Sequence, residues 1–330
     1  MKSNYRYIVK AFMAMAVIAG TTSCDDFLDR EPMSSISPET YYSTAAQLEA
    51  NLNDEYPNVL PSFGQWTYGI FGEDKGTDNQ IEVNANDRYT QDRWKVPHSE
   101  SDNWKFERIY RINFFLSEAL PKFGEDMSGS QNTISGSVAT IKHYIGEMYF
   151  LRAYEYFKKL QLFGDFPIID QPLADEMEAL REASKRFPRN EVARFIISDL
   201  DKAYAYMSDV DMATTRINKD AAMLVKSRVA LFEATWLQNF KGTAFVPGGE
   251  GWPGASLHNN YQYPSGNLDN EVKYFLEQAV EASKLVADKY KGNLTENTGV
   301  LQQSADDPSN PYFDMFAQED LSDVKEVLLW

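Results

Sequence analysis

The feature that most constrains the fold is an apolar stripe with helical spacing between residues 136 and 163. Its members follow one another at intervals of four or three residues: Ile141, Ile145, Tyr149, Ala153, Phe157 and Leu160. This spacing places them on one face of an α-helix, and Gly164 ends the pattern. Because such a face must be buried against other elements, the chain is predicted to fold as packed helices.

The same periodicity predicts further helices. They are expected from Pro38 to Leu52, Asn103 to Leu120, Asn190 to Met207, Lys219 to Phe240 and Asn270 to Tyr290. The first should be capped by Ser37 and stopped by Pro57 and Pro61. Gly146 and Tyr149 have the spacing typical of tetratricopeptide repeats, but the full pattern does not recur at a fixed period. Periodicity alone therefore predicts a mostly α-helical scaffold.

Two segments lack this periodicity and are predicted to be long loops. Residues 62–102 are rich in Gly, Asn, Asp and aromatic residues, and residues 241–267 hold six Gly and three Pro in 27 positions. Long connections in compact domains typically carry function or lack a fixed structure. The aromatic residues of 62–102 favour a functional loop.

The N-terminus has the order of an export signal. Three basic residues, Lys2, Arg6 and Lys10, precede an apolar run over 11–20, and small residues follow the run. The run is too short to span a membrane. Cys24 is the only cysteine, which excludes an internal disulfide and a thiolate zinc cluster. Its position resembles the lipobox of bacterial lipoproteins, in which the thiol is acylated. We therefore predict a signal peptide over 1–23 and a lipid on Cys24; the alternative is a secretory signal ending near a free thiol.

The net charge limits the partners. The whole chain carries −17, and removal of residues 1–23, with their three basic side chains, would make it −20. A chain this acidic repels phosphate backbones and anionic lipid surfaces. Nucleic acid is excluded as a partner, and contact with the membrane is expected only through the lipid anchor.

Catalytic and metal-binding patterns are weak. His98, His143 and His258 lie far apart, and no His-Glu-x-x-His, Gly-x-Ser-x-Gly or phosphate-loop pattern occurs. A pair of carboxylates could hydrolyse glycosides, but the sequence singles out no pair. Asp74, Asp78 and Asn79 offer oxygen ligands without the spacing of a known calcium loop. We predict no enzyme activity, no cofactor and no metal.

Aromatic residues outside the helical stripes are the candidate binding residues. A sugar ring can lay its C–H face on an aromatic ring while its hydroxyl groups pair with amide, acidic or guanidinium side chains. The candidates are Trp66, Tyr89, Arg93, Trp94, Asn103 and Trp252. Trp104, placed at the start of a predicted helix, is interpreted as a core residue.

The stretch Gly146–Ile168, GEMYFLRAYEYFKKLQLFGDFPI, closely resembles the signature of the SusD-like (RagB/SusD) family. Weaker matches surround it in the order of the family. They are Cys24 to Leu28; Trp104, Tyr110, Ile112 and Asn113; Arg189-Asn190-Glu191 with Asp199-Leu200; and Arg216, Lys219, Ala221, Ala222 and Arg228. Asp25 and Asp26 also look like the surface-export tag of Bacteroidetes lipoproteins.

The resemblance implies a fold and a function. The fold would be tetratricopeptide-like helix pairs, an α-α superhelix, packed with a loop-rich irregular region over residues 24–330. The function would be that of a surface lipoprotein of the outer membrane, which captures glycan for a SusC-like TonB-dependent transporter, with Asp78 near the ligand. Family members are usually longer, so the chain is expected to be a C-terminally truncated form. The alternatives are a helical-repeat adaptor that binds protein and, less favoured, a glycoside hydrolase.

Overall fold

The computed structural model describes residues 41–61, 103–208, 215–301, 303–304 and 306–329. Within these ranges the regular structure consists of eight α-helices and one 3-10 turn, Pro253–Ser256. The helices are α1 (Ala45–Val59), α2 (Glu107–Phe123), α3 (Val138–Phe163), α4 (Met177–Ala183), α5 (Arg189–Tyr206), α6 (Lys219–Asn239), α7 (Leu268–Tyr290) and α8 (Pro311–Ala317). The predicted mostly α-helical fold is confirmed.

Helix α3 is the centre of the core. Ser137 caps its first turn by accepting a hydrogen bond from the Thr140 amide, and Gly164 follows its last residue. All six residues of the predicted stripe are buried, and most other α3 side chains are buried as well. Helices α1, α2 and α5 pack around α3, and α6 also touches it. A helix buried on several sides must find partners for its polar residues inside the protein.

Helices α2 and α5 run antiparallel to α3. Arg152 of α3 lies beside Asp199 near the end of α5, and Asp165, just past α3, bonds the amide of Arg189 at the start of α5. On the other side of α3, Arg152 also bonds the side chain of Asn113, whereas the Lys159 ammonium reaches the carbonyl of Asn103 before α2.

The remaining long helices continue the antiparallel order. The start of α5 meets the end of α6 through Arg189 and Glu233, and the start of α6 meets the end of α7 through Asp220 and Tyr290. The predicted pairing of helices is therefore present in α3, α5, α6 and α7.

Buried ion pairs join these helices to one another. Three arginines each hold a carboxylate with two or three hydrogen bonds of 2.6–3.1 Å: Arg152 with Asp199, Arg189 with Glu233, and Arg194 with Glu271. All three carboxylate side chains have zero exposure. Paired charges of this kind contribute little net stability, but removal of one partner is strongly destabilising. They fix which helices pair, and in what register.

Helix α1 differs from its prediction at both ends. Residues 37–39 lie outside the described residues, and among the described ones the helix begins at Ala45 instead of continuing through Tyr41 to Ala45. Thr44 and Gln47 form a reciprocal capping box at this end. Pro57 does not stop the helix, which reaches Val59. Pro57 is exposed, so the carbonyl group that loses its helical donor can be hydrated.

Two smaller predictions were wrong. Trp104 does not open α2, which begins at Glu107, and it is half-buried. On α6, helical spacing predicts a stripe that includes Arg228 and either Thr235 or Trp236. Arg228 and Thr235 are exposed and Trp236 is half-buried, whereas Lys226, Val229 and Glu233 are buried. The true buried face of α6 is shifted because α5 and α7 both pack on it.

The segment between α6 and α7 has no α-helix. It is a series of turns around the 3-10 turn, and parts of it line a cavity at the end of α3. Among the described residues, no helix combines the length and the apolar character that crossing a bilayer requires.

Candidate functional site

A cavity of about 520 Å³ lies where the end of α3 meets the start of α5 and the end of α6. Its lining comes from four parts of the chain: residues 161–165, Arg186 with Arg189, Trp236, and residues 244–245 with 252–254 and Leu257. Cavities of this size, apolar with a few polar groups, are typical of small-ligand sites. It is the candidate binding site within the described part of the chain.

The floor of the cavity forms where α3 stops. Gly164 adopts a φ of 68°, which L-residues with side chains rarely adopt, and this turn redirects the chain. Phe166 then exchanges two backbone hydrogen bonds with Phe187, at 3.2 and 3.0 Å. This bridge holds the segment after α3 against the segment before α5. Asp165 and Arg186, one residue before each bridge member, are thereby brought to the same cavity.

Asp165 is the carboxylate of the floor. Its Oδ1 accepts from the Arg189 amide at 2.9 Å and its Oδ2 accepts from the Trp252 indole nitrogen at 2.7 Å. Burial raises the pKa of the Asp165 carboxyl above its ordinary value, although both donors and two nearby arginines oppose the shift. The side chain therefore ties the 241–267 segment to the start of α5.

Arg189 supports the same floor from α5. Its guanidinium pairs with the fully buried carboxylate of Glu233 and lies 4.1 Å from the ring centroid of Trp236. The charge of Arg189 is therefore compensated by Glu233 inside the protein. Stacking of the guanidinium on the indole fixes the orientation of Trp236. The Trp236 indole nitrogen also donates to the Phe245 carbonyl at 3.0 Å.

One wall of the cavity is apolar and open to solvent. Phe245 is 60% exposed, Leu162 is 58% exposed and Leu257 is 52% exposed. Exposed side chains of this kind, grouped around a concave surface, are typical of a binding site. The wall offers flat and aliphatic surface next to the polar floor.

Arg186 forms the opposite rim. Its guanidinium lies 4.6 Å from the centroid of the Trp104 ring. Trp104 in turn packs edge-on against Phe163 and Phe166, each at 4.9 Å. The Arg186 carbonyl faces the Nε2 atom of His258 at 2.8 Å. Both the backbone and the side chain of this arginine are therefore supported.

The predicted site residues have different outcomes. Five of them lie outside the described residues: Trp66, Asp78, Tyr89, Arg93 and Trp94. Asn103 is exposed, and its carbonyl accepts from the Lys159 ammonium at 2.8 Å. Trp252 lines the cavity but is only 5% exposed, because Gly254 covers part of its indole and His258 stacks near it. Its assignment as a ligand residue stays a prediction.

Sequence reasoning missed most residues of the cavity. Asp165, Arg186, Arg189, Trp236 and Phe245 come from four separate elements, and no local pattern links them. Asp165 and Arg189 did stand out as parts of the resemblance to the SusD-like signature, but nothing in the sequence indicated that they meet.

The two described histidines lie in different surroundings, and His98 lies outside the described residues. His143 is buried in α3, where its Nε2 lies 3.0 Å from the Ile217 carbonyl and 3.2 Å from a Glu147 carboxylate oxygen, and its Nδ1 lies 3.4 Å from the Ser208 hydroxyl. His258 lies beside Trp252. No group of three or more His, Cys, Asp or Glu side chains that could hold a metal ion was found in the described ranges.

Comparison with protein families identifies the chain. The model of a SusD-like family, described as starch-binding and associating with the outer membrane, matches residues 26–231. The chain belongs to this SusD-like family. The match includes α1 to α5 and most of α6, but only two of the four parts of the chain that line the cavity, residues 161–165 and Arg186 with Arg189.

The SusD-like relatives are distant in sequence. SusD-like proteins P2 and P25 of Formosa agariphila are each 25% identical, over 253 and 233 residues, which are 73% and 65% of this chain. These stretches are 46% and 41% of the relatives, so the chain spans less than half the length of the curated relatives it matches.

Similar solved structures are also SusD-like. A SusD-like protein from Bacteroides fragilis is 22% identical, with a TM-score of 0.45 over 64% of this chain and 39% of that one. A SusD-like carbohydrate binding protein from the same species is 16% identical, also with a TM-score of 0.45, over 78% of this chain and 42% of that one.

Proposed function

We propose that this protein captures glycan at the cell surface and delivers it, without cleaving it, to a SusC-like TonB-dependent transporter of the outer membrane. The observation that carries the proposal is the match of a starch-binding, outer-membrane-associated family to residues 26–231. A lipid on Cys24 would anchor the protein at that membrane, in keeping with the export signal that precedes it.

The glycan site is proposed to combine residues of the 62–102 segment with the cavity at the end of α3. Asn103 and Trp104, the first described residues after that segment, support this position. The Asn103 carbonyl is held by Lys159, and the Trp104 ring lies 4.9 Å from Phe163, which lines the cavity. The chain therefore enters α2 beside the cavity.

The chemistry of the cavity suits a sugar. A pyranose presents C–H groups on its faces and hydroxyl groups around its edge, and protein sites match these with aromatic surface and a few polar groups. Here Phe245 and Trp236 supply ring surface, and the Gln161 amide and the Arg186 guanidinium are polar groups of the lining. In the 62–102 segment, Trp66, Tyr89 and Trp94 would add rings, and Asp78 and Arg93 would add polar partners.

Retention on native gels containing polysaccharide tests the cavity. Phe245→Ala removes an exposed ring and should weaken retention roughly tenfold, since a stacking ring contributes about a kcal/mol beyond its area. Phe313→Ala is the matched control, because Phe313 is 52% exposed on α8, away from the cavity. Equal retention of both variants, with unchanged melting temperatures, would remove the cavity from the site.

The 62–102 segment is tested in the same way. Trp94→Ala should reduce retention and leave the melting temperature unchanged, whereas Trp104→Ala should lower the melting temperature because it removes edge contacts with Phe163 and Phe166. A triple variant lacking the rings of Trp66, Tyr89 and Trp94 that binds glycan like the parent would move the site out of that segment. Release of reducing sugar by the purified protein would contradict binding without cleavage.

The anchor and the transporter are tested in cells. Cys24→Ser should release the protein from the membrane fraction, and mass spectrometry of the parent should find a lipid-modified peptide that begins at Cys24. Affinity purification of the tagged parent from detergent-solubilised outer membranes should recover a TonB-dependent transporter. A soluble parent protein starting at another residue would refute the anchor, and purification without any transporter would refute the partner.

A further inference from the structure

We propose that Arg186 forms an anion-binding position at the rim of the cavity, and that the glycan bound there carries carboxylate or sulfate groups. This inference rests on the proposed function, since it names the class of glycan that the same cavity would accept. It starts from the charges that line the cavity, which are those of Asp165, Arg186 and Arg189.

Two of these three charges are already engaged. Both oxygens of Asp165 accept hydrogen bonds, from the Arg189 amide and the Trp252 indole. The guanidinium of Arg189 holds Glu233 with bonds of 2.9–3.1 Å. Neither group is therefore available as the main partner of a charged ligand unless an internal bond is broken.

Arg186 is different. Within the described ranges, its guanidinium forms no ion pair and donates no hydrogen bond. It lies over the Trp104 ring, and its charge acts on the nearby Asp165 carboxylate without pairing with it. The chain has 49 acidic and 32 basic residues, so an exposed arginine is expected to form an ion pair with a carboxylate. Seven of the nine described arginines form such a pair. The two that do not are Arg186 and Arg228, which lies on the outer face of α6.

The position of Arg186 is prepared for a ligand. Its backbone is held by the adjoining Phe166–Phe187 bridge and by the 2.8 Å contact between its carbonyl and His258. Stacking on Trp104 occupies one face of the planar guanidinium and leaves its edge, where carboxylate and sulfate oxygens bind in pairs. Little side-chain freedom remains to be lost on binding, so less of the interaction is offset by ordering.

The overall charge makes this position selective. A protein of net charge −17 repels polyanions at long range. An acidic glycan would therefore bind only where a cation without a partner lies beside surface that fits a sugar, and Arg186 faces the same cavity as Phe245 and Trp236. The repulsion by the rest of the surface should weaken as salt is added, but so should the attraction at Arg186.

Paired polysaccharides that differ only in charge test the proposal. We would measure retention and calorimetric binding of the full chain with polygalacturonate against fully methyl-esterified polygalacturonate, and with a sulfated galactan against its desulfated form. A panel of neutral glucans, galactans, xylans and mannans completes the set. The charged member of one pair should bind at least tenfold more tightly, because a hydrogen bond to a charged group adds about one or two factors of ten. The pair that shows the preference tells carboxylate from sulfate.

Three variants locate the preference. Arg186→Gln should lose at least tenfold in affinity for the charged polymer and keep its affinity for any neutral one, and Arg186→Lys should keep a part of the preference because the charge remains. Arg228→Gln makes the same change of charge on an arginine that also lacks a carboxylate partner but lies outside the cavity. It should bind like the parent. The melting temperature of each variant reports whether it is folded.

Each outcome separates this inference from the proposed function. Binding of neutral glycans alone, or equal binding within both pairs, overturns the acidic ligand and leaves glycan capture standing. A charged preference that survives in Arg186→Gln, or that is lost equally in Arg228→Gln, overturns the role of Arg186. Absence of binding to every polymer contradicts the proposed function itself.

Discussion

Helices α3 and α5 approach each other closely at Gly146, and replacement of this glycine by alanine should destabilise the protein. A Cβ atom at this position would lie 2.8 Å from the Met207 amide nitrogen, 2.9 Å from the Ala203 carbonyl oxygen and 2.8 Å from the Met207 Cγ. The first two atoms belong to the hydrogen bond that closes the last turn of α5, which is 2.9 Å long. They are backbone atoms, so they cannot rotate away, and the two helices must separate.

The magnitude is the difference between two opposing effects. Alanine in place of glycine within a helix is favourable by about 1 kcal/mol. Overpacking of a well-packed interface is unfavourable by about 1–3 kcal/mol, and a clash with backbone belongs at the upper end of that range. We therefore expect Gly146→Ala to lower the free energy of unfolding by roughly 1–2 kcal/mol.

Urea denaturation followed by circular dichroism measures this change as a shift of the midpoint at constant slope. Gly292→Ala is the control, because no atom lies within 4 Å of a Cβ placed there, and its effect should stay within about 0.5 kcal/mol. A Gly146→Ala variant as stable as the parent, or more stable, would refute the close approach. A double-mutant cycle with Met207→Ala then tests which atoms clash: coupling above about 1 kcal/mol would assign the clash to the Met207 side chain instead of the backbone.

Three further predictions concern buried residues. Ile145→Asp should prevent folding, because it places an unpaired charge in the fully buried stripe of α3 at a cost of several kcal/mol, and expression with normal melting would contradict the assigned core. Arg152→Met should lower the free energy of unfolding, toward the lower end of the roughly 3–5 kcal/mol typical of a broken buried pair, since the buried Asp199 would lose both hydrogen bonds from Arg152 and keep only the more exposed Lys202 ammonium at 3.6 Å; the double variant Arg152→Met, Asp199→Leu should recover much of the loss in urea titrations. Burial alone would raise the pKa of Glu271, but the hydrogen bonds that it accepts from Arg194, Asn190 and Ser265 hold that pKa below its ordinary value. Its contribution to stability is therefore complete above the unfolded-state pKa of about 4.3 and is lost as pH falls through the lower folded-state pKa, so Glu271→Gln should flatten the dependence of stability on pH below about 4.

The helices could be predicted where the apolar pattern is local. The stripe from Ile141 to Leu160 is buried, as expected from spacing alone, and so are the apolar residues that recur every three or four positions along α5, from Val192 to Met207. The pattern was less informative for α6, because two neighbouring helices bury a wider face, which includes Lys226 and Glu233. Charged residues at buried positions interrupt the apolar pattern, so the pattern no longer identifies the buried face.

The site could be predicted only in part. The sequence drew attention to Trp252 because an aromatic residue among glycines and prolines has no helical explanation. It could not show that Asp165 would occupy the indole nitrogen of Trp252, since the two residues are 87 positions apart. No sequence pattern singled out Arg186. It differs from most other arginines in having no carboxylate partner, and this can be seen only in the folded structure, which shows where the carboxylates lie.

In the proposed site, different residues would determine stability and ligand specificity. The floor of the cavity includes Asp165 and Arg189, which hydrogen-bond to each other, and Arg189 also pairs with Glu233 behind the floor, so that these bonds hold α3, α5 and α6 together. Substitutions there disturb helix packing before they disturb binding. The rim residues Arg186 and Phe245 are exposed and take part in no buried ion pair of the described structure. Because these residues can change without loss of the fold, differences in glycan preference between SusD-like proteins that share this floor are expected at the rim.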